Sequence, residues 1–175
     1  MKVVWLTGLP CSGKTTIATE VSLRLQRRGL NVDVLDGDEV RKRYPTLGFS
    51  KEDRLTHAWR LCGFVKASLA DVVLVAAVSP YRESRDHARS LFHPNFIEVH
   101  VDCQQLECER RDVKGLWSAA RAGTLQNLTG MGDPYEAPLD AEVTLRTDWE
   151  TVEESVLKLE AYICATISPS EKESP

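Results

Sequence analysis

Gly8-Leu9-Pro10-Cys11-Ser12-Gly13-Lys14-Thr15-Thr16 fits the spacing G-x-x-x-x-G-K-[ST] of a phosphate-binding loop, with a second Thr after it. The apolar run Val3-Val4-Trp5-Leu6 ahead of it predicts a buried strand, and Ile17 to Leu25 behind it predicts an amphipathic helix. That order of strand, loop and helix is the context in which the spacing carries chemistry. Backbone N–H groups of the loop and the open helix N-terminus, with roughly half a positive charge, face an anion together. Gly8, Cys11, Ser12, Gly13 and Thr16 belong to this cradle, Lys14 reaches the β- and γ-phosphates, and the Thr15 hydroxyl helps to hold Mg²⁺. The chain is therefore expected to bind a nucleoside triphosphate.

The flanking pattern extends the motif into a fold. Arg27-Arg28-Gly29 closes the first helix with basic residues and a glycine past its end. Val32 to Leu35 predicts a second strand that delivers Asp36-Gly37-Asp38 at its carboxyl edge, where open parallel sheets bind ligands. Asp36, closing a buried strand beside the triphosphate site, reads as functional. Asp38 can also cap a helix entering Glu39-Val40-Arg41, and Arg41 follows it by one turn on the same face. Ser50 with Asp53 predicts a helix start of the capping-box kind, running to about Ala70 with Trp59 and Leu69 on its apolar side. Val72 to Val78 is a continuous apolar run, hence a central strand covered on both faces, ending at Ser79-Pro80. Pro80 and the charged run to Arg89 start the next helix. Beyond it come a strand over Phe96–Val101, short helices over Leu106–Arg110 and up to Arg121, a long loop from Gly123 to Pro138, a strand over Val143–Leu145 and a closing helix over Val152–Ile167. This alternation specifies an α/β chain, a three-layer α/β/α P-loop NTPase fold with a parallel central sheet.

Composition narrows the partners. The 175 residues are expected to form one domain over 1–167, and the polar, Pro/Ser-rich segment 168–175 reads as a disordered tail. A formal charge of −4 argues against a nucleic-acid footprint, which needs a basic face. No apolar run reaches membrane-spanning length, and the N-terminus enters the first strand at once, so neither membrane association nor a signal peptide is expected. Five cysteines at 11, 62, 103, 108 and 164 form no C-x-x-C pair and suit a reducing cytoplasm.

The residues now assembled resemble one family, the adenylylsulfate kinases, which phosphorylate the 3′-hydroxyl of adenosine 5′-phosphosulfate with ATP. The matching segments are Gly8–Thr16, Leu35–Asp38 with Arg41, Leu47–Ser50 with Glu52-Asp53-Arg54, and Ser79–Arg82. They continue through Glu98-Val99, Val101-Asp102, Arg111–Leu116, Ala120–Gly123, Thr129-Gly130 and Pro134–Pro138, spanning about residues 3 to 165. The resemblance implies a mobile lid carrying Lys114, which contacts the acceptor or the transferring group. It implies that Asp36 orients or deprotonates the acceptor hydroxyl and touches the Mg²⁺ shell. Arg41 and Arg54 bind the phosphosulfate, Phe49 stacks on the acceptor base, and Arg111 lies against the ATP adenine or phosphates. Asp38, beside Asp36, and Pro80, beside Ser79, fall among the acceptor-binding residues. Ser79 matches a serine described in the family as an active-site phosphoserine. In-line transfer between two bound nucleotides needs positioning and charge neutralisation, so Ser79 is read as hydrogen-bonding substrate. Family members are often dimers, which makes a homodimer possible here.

Three departures from the family pattern bear on the acceptor. His57 replaces an Asn, Trp59 replaces one of two basic residues, and Leu128 stands where the lid carries an aromatic that sandwiches the base with Phe49. His57 can read another base's edge or be an ordinary helix residue. The departures leave an alternative acceptor open, such as a cytidine nucleotide bearing a sulfate-like or phosphoramidate group. A nucleotide switch is disfavoured, because the guanine-reading tetrapeptide [NT]-K-x-D does not occur.

Overall fold

The computed structural model describes residues 1–167; the segment 168–175, read above as a tail, lies outside them. In chain order the elements are β1 (Lys2–Thr7), α1 (Lys14–Arg27), β2 (Val32–Asp36), α2 (Gly37–Lys42), α3 (Lys51–Ala67), β3 (Val72–Ala76) and α4 (Arg82–Phe92). They continue with β4 (Phe96–Asp102), α5 (Gln105–Arg111), α6 (Leu116–Arg121), β5 (Leu128–Thr129), β6 (Gly132–Asp133), β7 (Val143–Arg146) and α7 (Val152–Thr166). β1 lies at the middle of a five-stranded sheet of order β2-β3-β1-β4-β7, with every pairing parallel.

The period-two alternation of β1 explains why it is apolar throughout. Val4 and Leu6 enter a core with Ile17 and Leu25 of α1 and Val156, Leu159 and Ile163 of α7. Val3 and Trp5 enter the opposite core with Leu61 and Val65 of α3 and Ala88 and Phe92 of α4. A strand covered by helices on both faces has no polar side to offer. A third, smaller cluster joins Cys103, Cys108, Trp117 and Leu128 to Leu9 and Cys11 of the phosphate loop. From β1 the chain passes to β2, two places away, and only after β3 does it cross to β4 on the other side. The loops after β1, β2 and β3 therefore converge at one carboxyl edge, the position where such sheets open a crevice.

Several expectations are corrected in detail. The cap of α2 is Asp36, not Asp38: the strand runs on to Asp36, whose carboxylate accepts from the N–H groups of Asp38 at 2.8 Å and Glu39 at 3.2 Å. α3 opens on the expected Ser50/Asp53 capping box but ends at Ala67, where Ser68 turns extended and its hydroxyl accepts from Ala70 N. Leu69 is thereby left in solvent, and Trp59 is half exposed against His87 of α4 rather than in the core. β3 stops at Ala76, and the Thr7 hydroxyl takes the Val78 carbonyl at 2.7 Å. Within the long loop, β5 and β6 pair as two-residue strands. Among the described residues, no helix is long and apolar enough to cross a membrane.

Candidate active site

The phosphate loop connects β1 to α1 through two left-handed residues, Cys11 and Gly13. Gly8 is required by space, since a Cβ there would stand 2.4 Å from the Val101 carbonyl oxygen of β4. Lys14 is buried, and its ammonium donates to the carbonyls of Gly8 at 3.0 Å and Leu9 at 2.7 Å and to the Ser12 hydroxyl at 3.3 Å. Burial lowers its pKa to about 8, opposed by the carboxylate of Asp38. The Thr15 hydroxyl donates to Asp36 at 2.7 Å, so one carboxylate touches both the phosphate loop and the first turn of α2.

α2 and α3 build the facing wall. Arg41 donates to the Gly48 carbonyl at 2.6 Å, which ties α2 to the loop ahead of α3. Arg54 donates from Nε to the Phe49 carbonyl at 3.0 Å and from Nη2 to the Asn127 carbonyl at 2.7 Å. The Phe49 ring is exposed, with the guanidinium carbons of Arg41 and Arg54 at 4.7 and 5.6 Å from its centroid. Burial lowers the pKa of both arginines, and the charge of Arg54 adds to the effect on Arg41.

The segment from α5 to β6 covers the cleft. Lys114 reaches Asp38 at 2.5 Å across the mouth. Burial would raise the Asp38 carboxyl, but Lys114, with Lys14 and Arg41, holds it below the ordinary carboxylate range. Arg111 pairs with Glu107 at 2.9 Å and donates to the Thr147 carbonyl, which pins it beside the phosphate loop. The Trp117 indole N–H points at the Pro10 carbonyl at 3.4 Å. The cleft is about 1220 Å³. That exceeds the roughly 300–1,000 Å³ of a typical single-ligand pocket. Among the described residues, no group of three or more His, Cys, Asp or Glu side chains is placed to hold a metal.

Of the residues singled out from sequence, Cys11, Gly13, Lys14, Thr15, Thr16, Asp36, Asp38, Arg41, Phe49, Arg54, Arg111, Lys114 and Leu128 all line this cleft. Gly8 and Ser12 shape the loop from beneath. Three others are not on the wall. The Ser79 hydroxyl accepts the Trp5 indole N–H at 3.0 Å, and the residue is held at φ 42° with its carbonyl taken by the buried Arg85. Pro80 is buried, and its carbonyl accepts from Glu136 N. His57 is buried, and Nδ1 meets no partner among the described residues. Burial, followed by the charge of Arg41, lowers its pKa to about 4 and keeps it neutral. Leu128 reaches the wall only at its margin, because most of it belongs to the Trp117 cluster. Asp133 was not singled out. It accepts from the Tyr81 hydroxyl at 2.7 Å and lies 3.3 Å from Arg54 Nε.

With the geometry in place, the likenesses to known proteins are specific. The sequence profile of the adenylylsulphate kinase family matches residues 1–146. The adenylyl-sulfate kinase of Rippkaea orientalis is 50% identical over 160 residues, which cover 89% of this chain and 87% of that one. The adenylyl-sulfate kinase of Microcystis aeruginosa is 49% identical over 160 residues, with coverage of 89% and 87%. The solved structure of the Mycobacterium tuberculosis APS kinase in complex with AMPPNP and APS matches at a TM-score of 0.87 and 38% identity, covering 93% of this chain and 96% of that one.

Proposed function

The chain belongs to the adenylylsulfate kinase family, and from that premise we propose how its cleft transfers the γ-phosphoryl group of ATP to the 3′-hydroxyl of adenosine 5′-phosphosulfate. The observation that carries the reading is a pair of anion-binding walls facing one cleft. The phosphate loop forms one wall and Arg41, Phe49 and Arg54 the other, and Asp36 lines the cleft hydrogen-bonded to Thr15. ATP lies with its phosphates over Gly8–Thr16 and its base toward Arg111 and Thr147. The acceptor lies with its base on Phe49 and its phosphosulfate toward Arg41 and Arg54. Asp36 orients the 3′-hydroxyl for in-line attack and takes its proton, while Lys14 and Lys114 neutralise charge on the transferring group.

Mg²⁺ fits the donor set. The Thr15 hydroxyl and Asp36 carboxylate are hard oxygen donors 2.7 Å apart, and a magnesium ion keeps waters and substrate phosphates rather than an all-protein cage. When bound, it supplies charge neutralisation at the β- and γ-phosphates.

Two of the three departures do not line the cleft: His57 is buried behind its wall, and Trp59 packs on α4. This favours adenosine 5′-phosphosulfate over a cytidine-based acceptor. ADP release measured with Mg²⁺-ATP and each acceptor tests it. Saturable turnover of the adenosine compound is expected, and preference for a cytidine nucleotide would overturn the assignment. Five free thiols suit a reducing cytoplasm, and a homodimer is the assembly expected from the family.

A serine nucleophile has no place in this mechanism. The Ser79 hydroxyl is engaged by Trp5 within the core. Ser79→Ala is expected to keep kcat within about tenfold of wild type while losing ~1 kcal/mol of stability through the stranded indole N–H. Urea unfolding and steady-state assays on the same variant check both, and complete loss of turnover in a folded protein would restore the covalent route.

A further inference from the structure

Arg54 is held by three groups, and one of them is a carboxylate. Its Nε donates to the Phe49 carbonyl, its Nη2 donates to the Asn127 carbonyl, and Asp133 Oδ2 lies 3.3 Å from Nε. Both side chains of the ion pair are largely out of solvent, at 8% exposure for Arg54 and 13% for Asp133. Asp133 is itself fixed from a second direction, because its Oδ1 accepts from the Tyr81 hydroxyl at 2.7 Å. Tyr81 is buried ahead of α4, and burial together with the Asp133 hydrogen bond pushes its pKa up to about 12, so it stays a donor. Thr129, on the neighbouring two-residue strand, lies 3.5 Å from Oδ2.

This arrangement joins parts of the chain that no single element connects. Arg54 belongs to α3, Tyr81 lies at the start of α4, and Asp133 and Asn127 come from the cover over the cleft. Nη1 of Arg54 has no hydrogen-bond partner among the described residues. With Nε and Nη2 committed, Nη1 is the nitrogen whose direction the clamp sets. A guanidinium is a rigid planar fork, so fixing two of its nitrogens fixes the third.

We infer that Asp133 is a positioning residue for the acceptor: it orients Arg54 toward the acceptor's anionic group, and does so from the covering segment. The inference rests on the reading of Arg54 as an acceptor-binding side chain. Asp133 does not itself line the cleft. Its carboxylate places a negative charge 3.3 Å from Nε, which favours the guanidinium angle that the Phe49 and Asn127 carbonyls define and links it to the position of the cover. The cover thus takes part in acceptor recognition as well as in excluding water.

The test compares Asp133→Asn and Asp133→Glu with wild type in steady-state assays varying adenosine 5′-phosphosulfate and ATP separately. The Asn variant keeps an acceptor for Tyr81 and loses the charge facing Arg54. Its KM for the acceptor is expected to rise about tenfold, as for the loss of one charge from a largely desolvated ion pair. Its KM for ATP and its melting temperature should stay close to wild type, and the Glu variant should recover part of the loss. Arg54→Lys supplies the second arm. Asp133→Asn made in that background should add less than about twofold, because the fork it orients is gone.

Equal rises in both KM values, a collapse in melting temperature with no recovery by Glu, or full additivity with Arg54→Lys would each overturn the inference. Failure of the underlying reading looks different. In that case wild type itself would not turn over the adenosine compound, or Arg54→Lys alone would leave its KM unchanged.

Discussion

Lys14→Ala is expected to lower kcat/KM for ATP by roughly 10²–10³-fold, the usual cost of deleting one preorganised donor to transition-state charge. Lys14 is buried, and its ammonium already lies on the Gly8 and Leu9 carbonyls, at the rim of the loop that cradles the phosphates. Alanine removes the charge without altering Gly8 or Gly13, so the loop keeps its backbone N–H groups and some nucleotide affinity. Steady-state assays with ATP varied, beside a thermal melt to establish that the variant is folded, measure the effect. Turnover within tenfold of wild type would remove Lys14 from the mechanism.

The same lysine predicts a pH dependence whose two signs differ. Burial lowers its pKa to about 8, whereas the unfolded chain holds the proton to about 10.5. Capture of the triphosphate needs the charged form, so kcat/KM for ATP, which reports the free enzyme, should fall as pH rises through about 8. Stability moves the other way. Between about 8 and 10.5 the unfolded chain binds more protons than the folded one, so this group's contribution makes the fold more stable as pH rises. Lys14→Ala should lack that limb of the stability curve.

Asp36→Asn separates chemistry from architecture. Asn caps helices about as well as Asp, so α2 and the Asp38–Lys114 pair it carries should persist. What is lost is a carboxylate that can accept the 3′-hydroxyl proton and face a magnesium ion. A fall in kcat of roughly 10²–10⁴-fold is expected, the range for a general base. ATP affinity measured by equilibrium titration should change far less. Asp36→Ala should show the same kinetic loss and, with the cap gone, a further ~1 kcal/mol of instability. An Asn variant with near-normal kcat would leave Asp36 only its capping role.

How far these residues could be found from sequence depends on what each one needs. The phosphate loop is legible because its glycines and lysine must stand at fixed spacing for the backbone to wrap an anion. Asp36 is legible because a carboxylate closing an apolar strand has few other reasons to be there. Arg41, Phe49 and Arg54, which line the cleft, could be proposed for the acceptor only through the family resemblance, since in sequence they are an ordinary helix face and loop. Asp133 escaped because it stands in Gly132-Asp133-Pro134, where an aspartate reads as a turn former. Its partners, Arg54 and Tyr81, are distant in sequence and come near only once the cover folds over the cleft. Ser79 and His57 stand off the cleft wall. Both sit in suggestive segments, but Trp5 holds the first and the α2–α3 packing buries the second. Leu69 looked like core by its helical spacing, yet the Ser68 cap ends the helix before its turn arrives.

The small cluster that joins Leu9 and Cys11 to Trp117 and Leu128 would give any opening of the cover a thermal character. A cover that lifted to admit or release nucleotide would bring apolar surface of both the cover and the phosphate loop into water. Such exposure carries a positive heat capacity. The enthalpy of opening therefore grows with temperature, and the apolar contribution to closure weakens on cooling. Where release limits turnover, the rate should bend away from a single straight Arrhenius line.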